Sequence, residues 1–432
     1  MAGGGTWTTP KTWTAAIVSV ADMLTHVRDN LNALTQAATT ITTTGTQTAL
    51  TLPVGRGDLV IFANNATLLT IQGVTAAYDG QRLTIFSKGA GQVDINNEHA
   101  SASAANRIIT GSSGTISLPA GSGRASMIYD VTTTRWRLDE ASASVAGIPQ
   151  GRLTLTTAVP VTTADVTAAV TVRWTPFRGN TCAVYNGTAW LLRTFTELSI
   201  AVPGVASSLY DVFVYDNAGT LALELSSAWT SDTARFASGA YATLVPQQDG
   251  VYVKSTNGTV IDATRRYLGT FRTTTVAGQT EDSATKRYVW NYYQRVVRPM
   301  LRFETTASWV YASGTLRQAN ASTSNQLDVV VGVAEVLVDI RAQTLASASG
   351  TDVTYQSFIS IGEDSTTTKS ASSFRSQATG VLLNAQVLHS VSLRKIVDVG
   401  RHYYTWLEQG AASGSITWIG ASTYGLTGSI EN

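Results

Sequence analysis

Cysteine is nearly absent. Cys182 stands alone in 432 residues, which excludes an intramolecular disulfide framework and a Cys-rich zinc module. Charge is scarce as well. Charged residues make up 14% of the chain, and 30 basic residues balance 29 acidic ones for a net charge of +1, where roughly a quarter charged is usual. A nucleic-acid binder that works through phosphate contacts carries a basic excess, so that class is excluded. With 44% hydrophobic residues and almost no net charge, the chain does not have the composition of a disordered protein. Long apolar runs are missing too. Stretches such as Asp328-Val-Val-Val-Gly-Val-Ala-Glu335 are far too short to cross a bilayer, so no membrane insertion is expected. The opening Met1-Ala-Gly-Gly-Gly has neither a basic n-region nor an apolar h-region, and no secretory signal is expected.

What is abundant is threonine, with 64 residues. Threonine and valine are β-branched and suit a pleated surface, so the composition predicts strands over helices. The length suggests two to four domains. An alternative use of the same composition is a core shared between chains. An uncharged, Thr-rich strand can be half buried against a neighbour without leaving an unpaired charge inside.

Helical spacing occurs first near the N-terminus. Ile17, Val20, Leu24, Val27, Leu31 and Leu34 are spaced 3-4-3-4-3, a heptad seam, and Ser19 with Asp22 resembles a capping box. So short a helix is marginal alone. It either self-associates as a coiled coil or packs as one amphipathic helix on its own chain. Ahead of it, Trp7, Pro10 and Trp13 form either a docking peptide that buries aromatics in a partner or a segment folded back on that helix.

From Thr39 to Leu138 short apolar stretches alternate with Gly, Asn, Asp and Ser clusters, as in Asp58-Leu-Val-Ile-Phe62 and Gln81-Arg-Leu-Thr-Ile-Phe86. This reads as a sandwich, barrel or solenoid-like stack. A hairpin device recurs. In Tyr129 to Trp136 and again in Tyr185 to Trp190 a tyrosine, an Asp- or Asn-led turn and a returning tryptophan follow one another, which predicts aromatic cross-strand pairs. Residues 141–150 read as a linker. Beyond it, strands are predicted at Tyr210–Tyr215, Arg266–Thr273, Val329–Ile340 and Tyr403–Leu407. One helix is predicted between Ser283 and Arg298, where Val289, Trp290, Tyr293, Val296 and Val297 have helical spacing and Pro299 would stop it.

Catalytic signatures are missing. His26, His99, His389 and His402 are scattered without ligand spacing. The acidic pairs Asp139-Glu140, Glu281-Asp282 and Glu363-Asp364 read as loop or solvated residues, since neighbours on a strand point to opposite faces. Lys286, Arg287, Arg295, Arg298 and Arg302 form a basic cluster suited to an anionic ligand or to ion pairs with partners such as Glu281 and Asp282. No enzyme, metal or cofactor is expected. Candidate glycan-stacking residues are Trp309, Tyr311, Trp418 and Tyr424, which lie near Gly/Ser/Thr-rich turns. Their alternative is core packing.

Several strings of the chain resemble a known family. Trp7-Thr-Thr-Pro-Lys-Thr-Trp13 with Arg28-Asp-Asn-Leu-Asn-Ala-Leu34 resembles the start of minor structural proteins of tailed bacteriophages. Gly80-Gln-Arg-Leu-Thr-Ile85, Arg107-Ile-Ile-Thr110 and Arg135-Trp-Arg-Leu138 resemble a segment of phage tail-fibre proteins. Leu209-Tyr-Asp-Val-Phe-Val-Tyr-Asp216, Arg265-Arg-Tyr-Leu-Gly-Thr270 and Val289-Trp-Asn-Tyr-Tyr293 resemble phage and prophage structural proteins. The resemblance implies a virion protein made in the host cytoplasm. It would be a homotrimeric tail fibre or receptor-binding protein that docks on another virion protein through its N-terminus and meets a host surface glycan or protein distally. The alternatives are a capsid or collar fibre or decoration protein, and a glycan-degrading tailspike.

The expected fold is mainly β: an elongated homotrimeric fibre with a short N-terminal coiled-coil helix, a β-rich middle and a C-terminal jelly-roll-like β-sandwich domain containing one helix. The expected divisions are 1–38 (attachment peptide and coiled coil), 39–140 (β-rich middle), 141–150 (linker), 151–300 (β domain ending in the helix) and 301–432 (C-terminal sandwich).

Overall fold

A computed structural model describes Val20 and residues 37–53, 58–111, 114–141, 147–187, 190–349, 356–379, 385–410 and 415–432. The chain forms two compact units. One comprises 1–149 with 181–195 and 216–221, and the other comprises 150–180, 196–215 and 222–432.

The first unit is built on a β-solenoid of four turns. Strands Ala37–Ile41, Leu59–Ala63 and Arg82–Ser87 stack in parallel along one side. Gly45–Gln47, Leu69–Ile71 and Val93–Ile95 stack along the other. The register sets like upon like: Leu59 on Leu83, Ile61 on Ile85, Phe62 on Phe86, Leu69 on Val93 and Ile71 on Ile95. Each pair is 24 residues apart, as its numbers show. Inward Leu59, Ile61, Leu69, Ile71, Leu83 and Ile85 form one apolar column, while the Phe62 and Phe86 rings stack at 5.5 Å. Each coil alone is too short to bury its face, so stability comes from stacking.

The corners carry buried polar groups. Asn65 is fully buried and its amide donates to Thr67 O at 2.7 Å and to Gln92 O at 3.0 Å, linking one coil to the next. Gly91 passes so close that a Cβ there would collide with the Thr67 carbonyl, and only glycine allows the approach. The stack ends where pairing turns antiparallel. Arg124–Asp130 pairs with Arg82–Ser87 and folds back into Arg135–Ala141. In this hairpin Tyr129 faces Trp136 across the strands, rings 5.3 Å apart, and Trp136 Nε1 donates to Thr75 O at 3.1 Å. The same device recurs in Thr181–Tyr185 and Trp190–Thr194, where Tyr185 faces Trp190 at 5.5 Å. Arg193 of that hairpin is buried between Asp94 and Asp216, both at 3.2 Å.

In the second unit two sheets face one another. One runs in the order Val166–Ala169, Thr280–Asp282, Lys286–Arg287, Gln326–Val331, Gly400–Gln409, Gln356–Glu363, Arg375–Thr379. The other runs Val297–Phe303, Gly425–Glu431, Leu337–Ser349, Ser415–Ile419, Ser308–Tyr311, with Gln386–Ile396 on the free side of Leu337–Ser349. Between them lie Leu327, Val329, Val338, Ile340, Ile359, Trp406 and Trp418, all fully buried. A further sheet centres on Leu209–Asn217 and Ile261–Arg272.

This architecture corrects the expected helix-bearing fibre. Among the described residues no helix reaches seven residues, and short 3-10 turns occur at Ala104–Asn106 and Ala319–Ala321. The helix predicted between Ser283 and Arg298 is instead short strands: Lys286–Arg287, Val289–Asn291 and the start of Val297–Phe303. Its apolar spacing came from two strands separated by a turn, at which Gln294 has φ +54°. Pro299 does not stop a helix. It sits in Val297–Phe303, an edge strand of its sheet, where a missing N–H is tolerated. The tail-fibre reading is corrected with it, since no coiled-coil or helical fibre element is found among the described residues. Trp7, Pro10, Trp13, Ile17, Leu24, Val27, Leu31 and Leu34 lie outside the described residues, and Val20 is helical and exposed.

Candidate functional site

Gly332 interrupts the apolar run that begins at Asp328. A Cβ at this position would collide with the Tyr267 hydroxyl and approach Thr270 Oγ1 to 2.5 Å. The run therefore leaves the sheet after Val331, and residues 332–335 become one wall of a cleft of about 500 Å³. The other wall is the loop 241–247 with Tyr252, and Val399 also contributes.

Both walls are held from behind by one buried guanidinium. Arg235 donates to Thr243 O at 2.8 Å and to Gly332 O at 2.7 Å. It also pairs with Asp211 at 2.7 and 3.2 Å and lies over the Trp229 ring at 4.2 Å. Asp211 in turn accepts from Thr270 Oγ1 at 2.7 Å, and Thr270 shares a 2.6 Å hydrogen bond with the Tyr267 hydroxyl. Burial raises the Tyr267 pKa well above the ordinary tyrosine value, reinforced by the Asp211 charge. The group remains a neutral hydroxyl that can donate or accept.

Tyr241, Tyr252 and Glu335 line the cleft, and an aromatic cluster backs Tyr252. Tyr252 and Tyr292 meet edge to face at 4.9 Å, with Tyr292 against Tyr293 at 4.7 Å. The Tyr252 hydroxyl donates to Glu335 Oε1 at 3.4 Å, and Arg295 holds Glu335 Oε2 at 3.3 Å. Arg295 also covers the Tyr292 ring at 5.7 Å and the Trp290 ring at 5.9 Å. Burial, followed by the Glu335 carboxylate, raises the Tyr252 pKa and pushes Tyr292 up to about 12. Among the described residues Glu335 is the one carboxylate lining the cleft. Tyrosine rings and a carboxylate lining one cleft can stack on and hydrogen-bond a polyhydroxylated ligand. They do not supply the pair of carboxylates that glycoside hydrolysis uses.

The residues expected from sequence to stack on glycans lie elsewhere. Trp418 is fully buried and faces Trp309 across the strands. Trp309 is also buried and donates from Nε1 to Glu408 at 2.7 Å. Neither indole offers a face to solvent. Tyr311 lies under Arg317, whose guanidinium is 3.7 Å from its ring centre, and its hydroxyl donates to Thr315 O at 2.8 Å. Tyr424 is half-buried beside the turn at Gly420. The cleft was missed because its lining is drawn from stretches as far apart as Tyr241, Tyr252, Glu335 and Val399. The readable signal was Gly332, a glycine inside a strand-like run, which marks a close backbone approach.

The charged clusters are internal. Lys286 pairs with Glu281 at 2.9 Å, while Arg287 and Arg298 both hold Asp282, at 2.9 and 3.1 Å. Glu281 and Asp282 are therefore buried and paired, against the expectation of solvated residues. His402 donates from Nδ1 to Asp364 at 2.7 Å. Burial opposes its charge, but the Asp364 bond outweighs this and the His402 pKa is raised. His389 is buried between Ser357 and Ser376. Among the described residues no three His, Cys, Asp or Glu side chains gather as a metal site.

No protein-family model matches the chain, and no curated protein matches it. Among solved structures, a Bacillus thuringiensis Cry1Da tryptic core variant is similar at 10% identity and a TM-score of 0.16, over 61% of this chain. The chain spans about half of that protein, 48% of its length. The protein SGBP-B, from a complex xyloglucan utilization locus in Bacteroides uniformis, is similar at 8% identity and a TM-score of 0.13, over 81% of this chain and 92% of that one. Superpositions this poor carry no argument about fold or function.

Proposed function

We propose that this chain is a non-catalytic structural protein decorating the capsid or collar of a tailed-bacteriophage particle, and that it binds carbohydrate in the Tyr252–Glu335 cleft. The particle assignment rests on the phage-like wording spread along the sequence. The carbohydrate assignment rests on one observation: half-buried Tyr241 and Tyr252 line a cleft of about 500 Å³ together with Glu335, whose carboxylate Arg295 holds. That volume suits one or two sugar residues, because ligand pockets typically span about 300–1,000 Å³. A lone lining carboxylate favours binding over cleavage.

Two experiments test the reading. Gold-labelled antibody against the chain should mark the head or collar of intact particles, and labelling confined to the tail tip or absent from particles contradicts the assignment. An array of bacterial surface oligosaccharides probed with the full chain should yield binders and no new reducing ends. Release of reducing ends would replace binding with hydrolysis.

A further inference from the structure

The outer face of the six-stranded sheet in the second unit is uncovered and follows a regular grid. The register aligns its outward residues in rows across the strands. Val297 neighbours Glu431; Pro299 neighbours Ser429, Asp339 and Arg394; Leu301 neighbours Thr427 and Arg341; Phe303 neighbours Gly425 and Gln343. The inner positions on the same strands, such as Met300, Val338, Ile340, Leu426 and Ile430, are buried. This face should therefore be polar like any solvated sheet face. It is not. Val297 is 64% exposed, Ile396 59% and Leu388 58%, with Leu301 and Phe303 also exposed.

The charges on this face are as unusual as its apolar groups. Ionised side chains of this unit are mostly paired, as Arg235 with Asp211, Arg298 with Asp282 and Arg401 with Asp328 are. Among the described residues Asp339, Arg341, Arg394 and Glu431 have no hydrogen bond, ion pair or ring contact, although all four lie on this one face. Asp339 and Arg341, an acid and a base two positions apart on one strand without partners amid exposed aliphatic groups, form a patch that is complementary to itself. An isologous interface needs that property, because the same patch must serve both sides.

We propose that a second copy of this chain packs on this face about a two-fold axis that crosses the strands between the Asp339 and Arg341 rows. That axis sets Asp339 against Arg341 of the partner subunit. Along the edge strand it sets Val297 against Phe303 of the partner subunit and Pro299 against Leu301 of the partner subunit. Asp339 meets Arg341 twice and the edge strands meet apolar to apolar under one operation, while Arg394 comes to face Ser392 and Glu431 to face Gly425. The pairing does not depend on what the cleft binds.

The test is the mass of the full chain in solution by sedimentation equilibrium. The wild type should have twice the chain mass of 45.7 kDa. Asp339→Arg and Arg341→Asp should each raise the dimer dissociation constant at least tenfold, by placing like charges face to face. The double variant should recover the dimer, since it exchanges the charges, and unchanged melting temperatures would show that these exposed positions leave the fold intact. A monomeric wild type at tens of micromolar overturns the proposal, as does an oligomer whose mass neither single variant changes. So does protection of Leu337–Ser349 from hydrogen exchange only on assembled particles, which would assign the face to another virion protein.

Discussion

His389 shows what burial does to a single residue. Its ring is almost wholly enclosed, with Nε2 2.8 Å from Ser357 Oγ, Nδ1 3.1 Å from Ser376 Oγ and no carboxylate in contact. Burial therefore lowers its pKa to about 4, while an unfolded histidine titrates near 6.5. A base depressed in the folded state contributes stability above pH 6.5, and that contribution fades as pH falls through the folded value. Between pH 7 and pH 4 the chain should lose up to about 3 kcal/mol from this group. Urea unfolding midpoints at several pH values should show the loss in the wild type and a shallower slope in His389→Gln, whose amide can still meet both serines. An equal slope in both proteins would assign the acid sensitivity to other groups.

Arg235 and Gly332 make a second prediction at the same scale. Arg235→Ala leaves Asp211 buried without its cation, at a cost of about 3–5 kcal/mol, and frees both cleft walls. Gly332→Ala forces a methyl group against the Tyr267 hydroxyl, which should cost about 1–3 kcal/mol. Both variants should lower the melting temperature. If the Gly332→Ala melting temperature is unchanged, the wall does not follow the path described.

At the scale of elements, strand content was legible and strand partnership was not. The Thr-rich composition and the Gly/Asn-bounded apolar runs announced a β-rich chain but not the loss of the expected helices, and both Tyr–Trp hairpins formed where their turn residues placed them. The solenoid was half visible. Leu59-Val-Ile-Phe62 and Leu83-Thr-Ile-Phe86 have nearly the same wording 24 residues apart, but in the neighbouring coils the pattern thins to single aliphatic residues. What fixes the coil is a buried Asn65 and a close-packed Gly91, which read in sequence as ordinary loop residues. The false helix has the opposite cause, because an apolar spacing across a turn imitated helical period until the backbone at Gln294 broke it. Asn65→Ala should therefore destabilise the solenoid by about 1–3 kcal/mol, by leaving the Thr67 carbonyl unpaired and removing one of the two donors to the Gln92 carbonyl. Amide exchange should accelerate in Leu59–Ala63 and Val93–Ile95 more than in the second unit. Uniform acceleration across the chain would show that Asn65 has no local role.

At the scale of the whole molecule, low charge has a structural reading. Several of the charged groups are used as internal pairs: Arg193 between two aspartates, Arg235 behind the cleft, Arg287 and Arg298 on Asp282. Others remain at the surface, among them those of the outer sheet face and the cleft. The cleft was not legible in the sequence because Tyr252, Tyr292, Arg295 and Glu335 come together only through the fold. Titration calorimetry of the full chain with an oligosaccharide selected from the array tests the central claim most directly. The account predicts saturable one-site binding to the wild type and at least tenfold weaker binding, about 1.4 kcal/mol, to Tyr252→Ala and Glu335→Gln. Binding of equal strength to the wild type and both variants would contradict it.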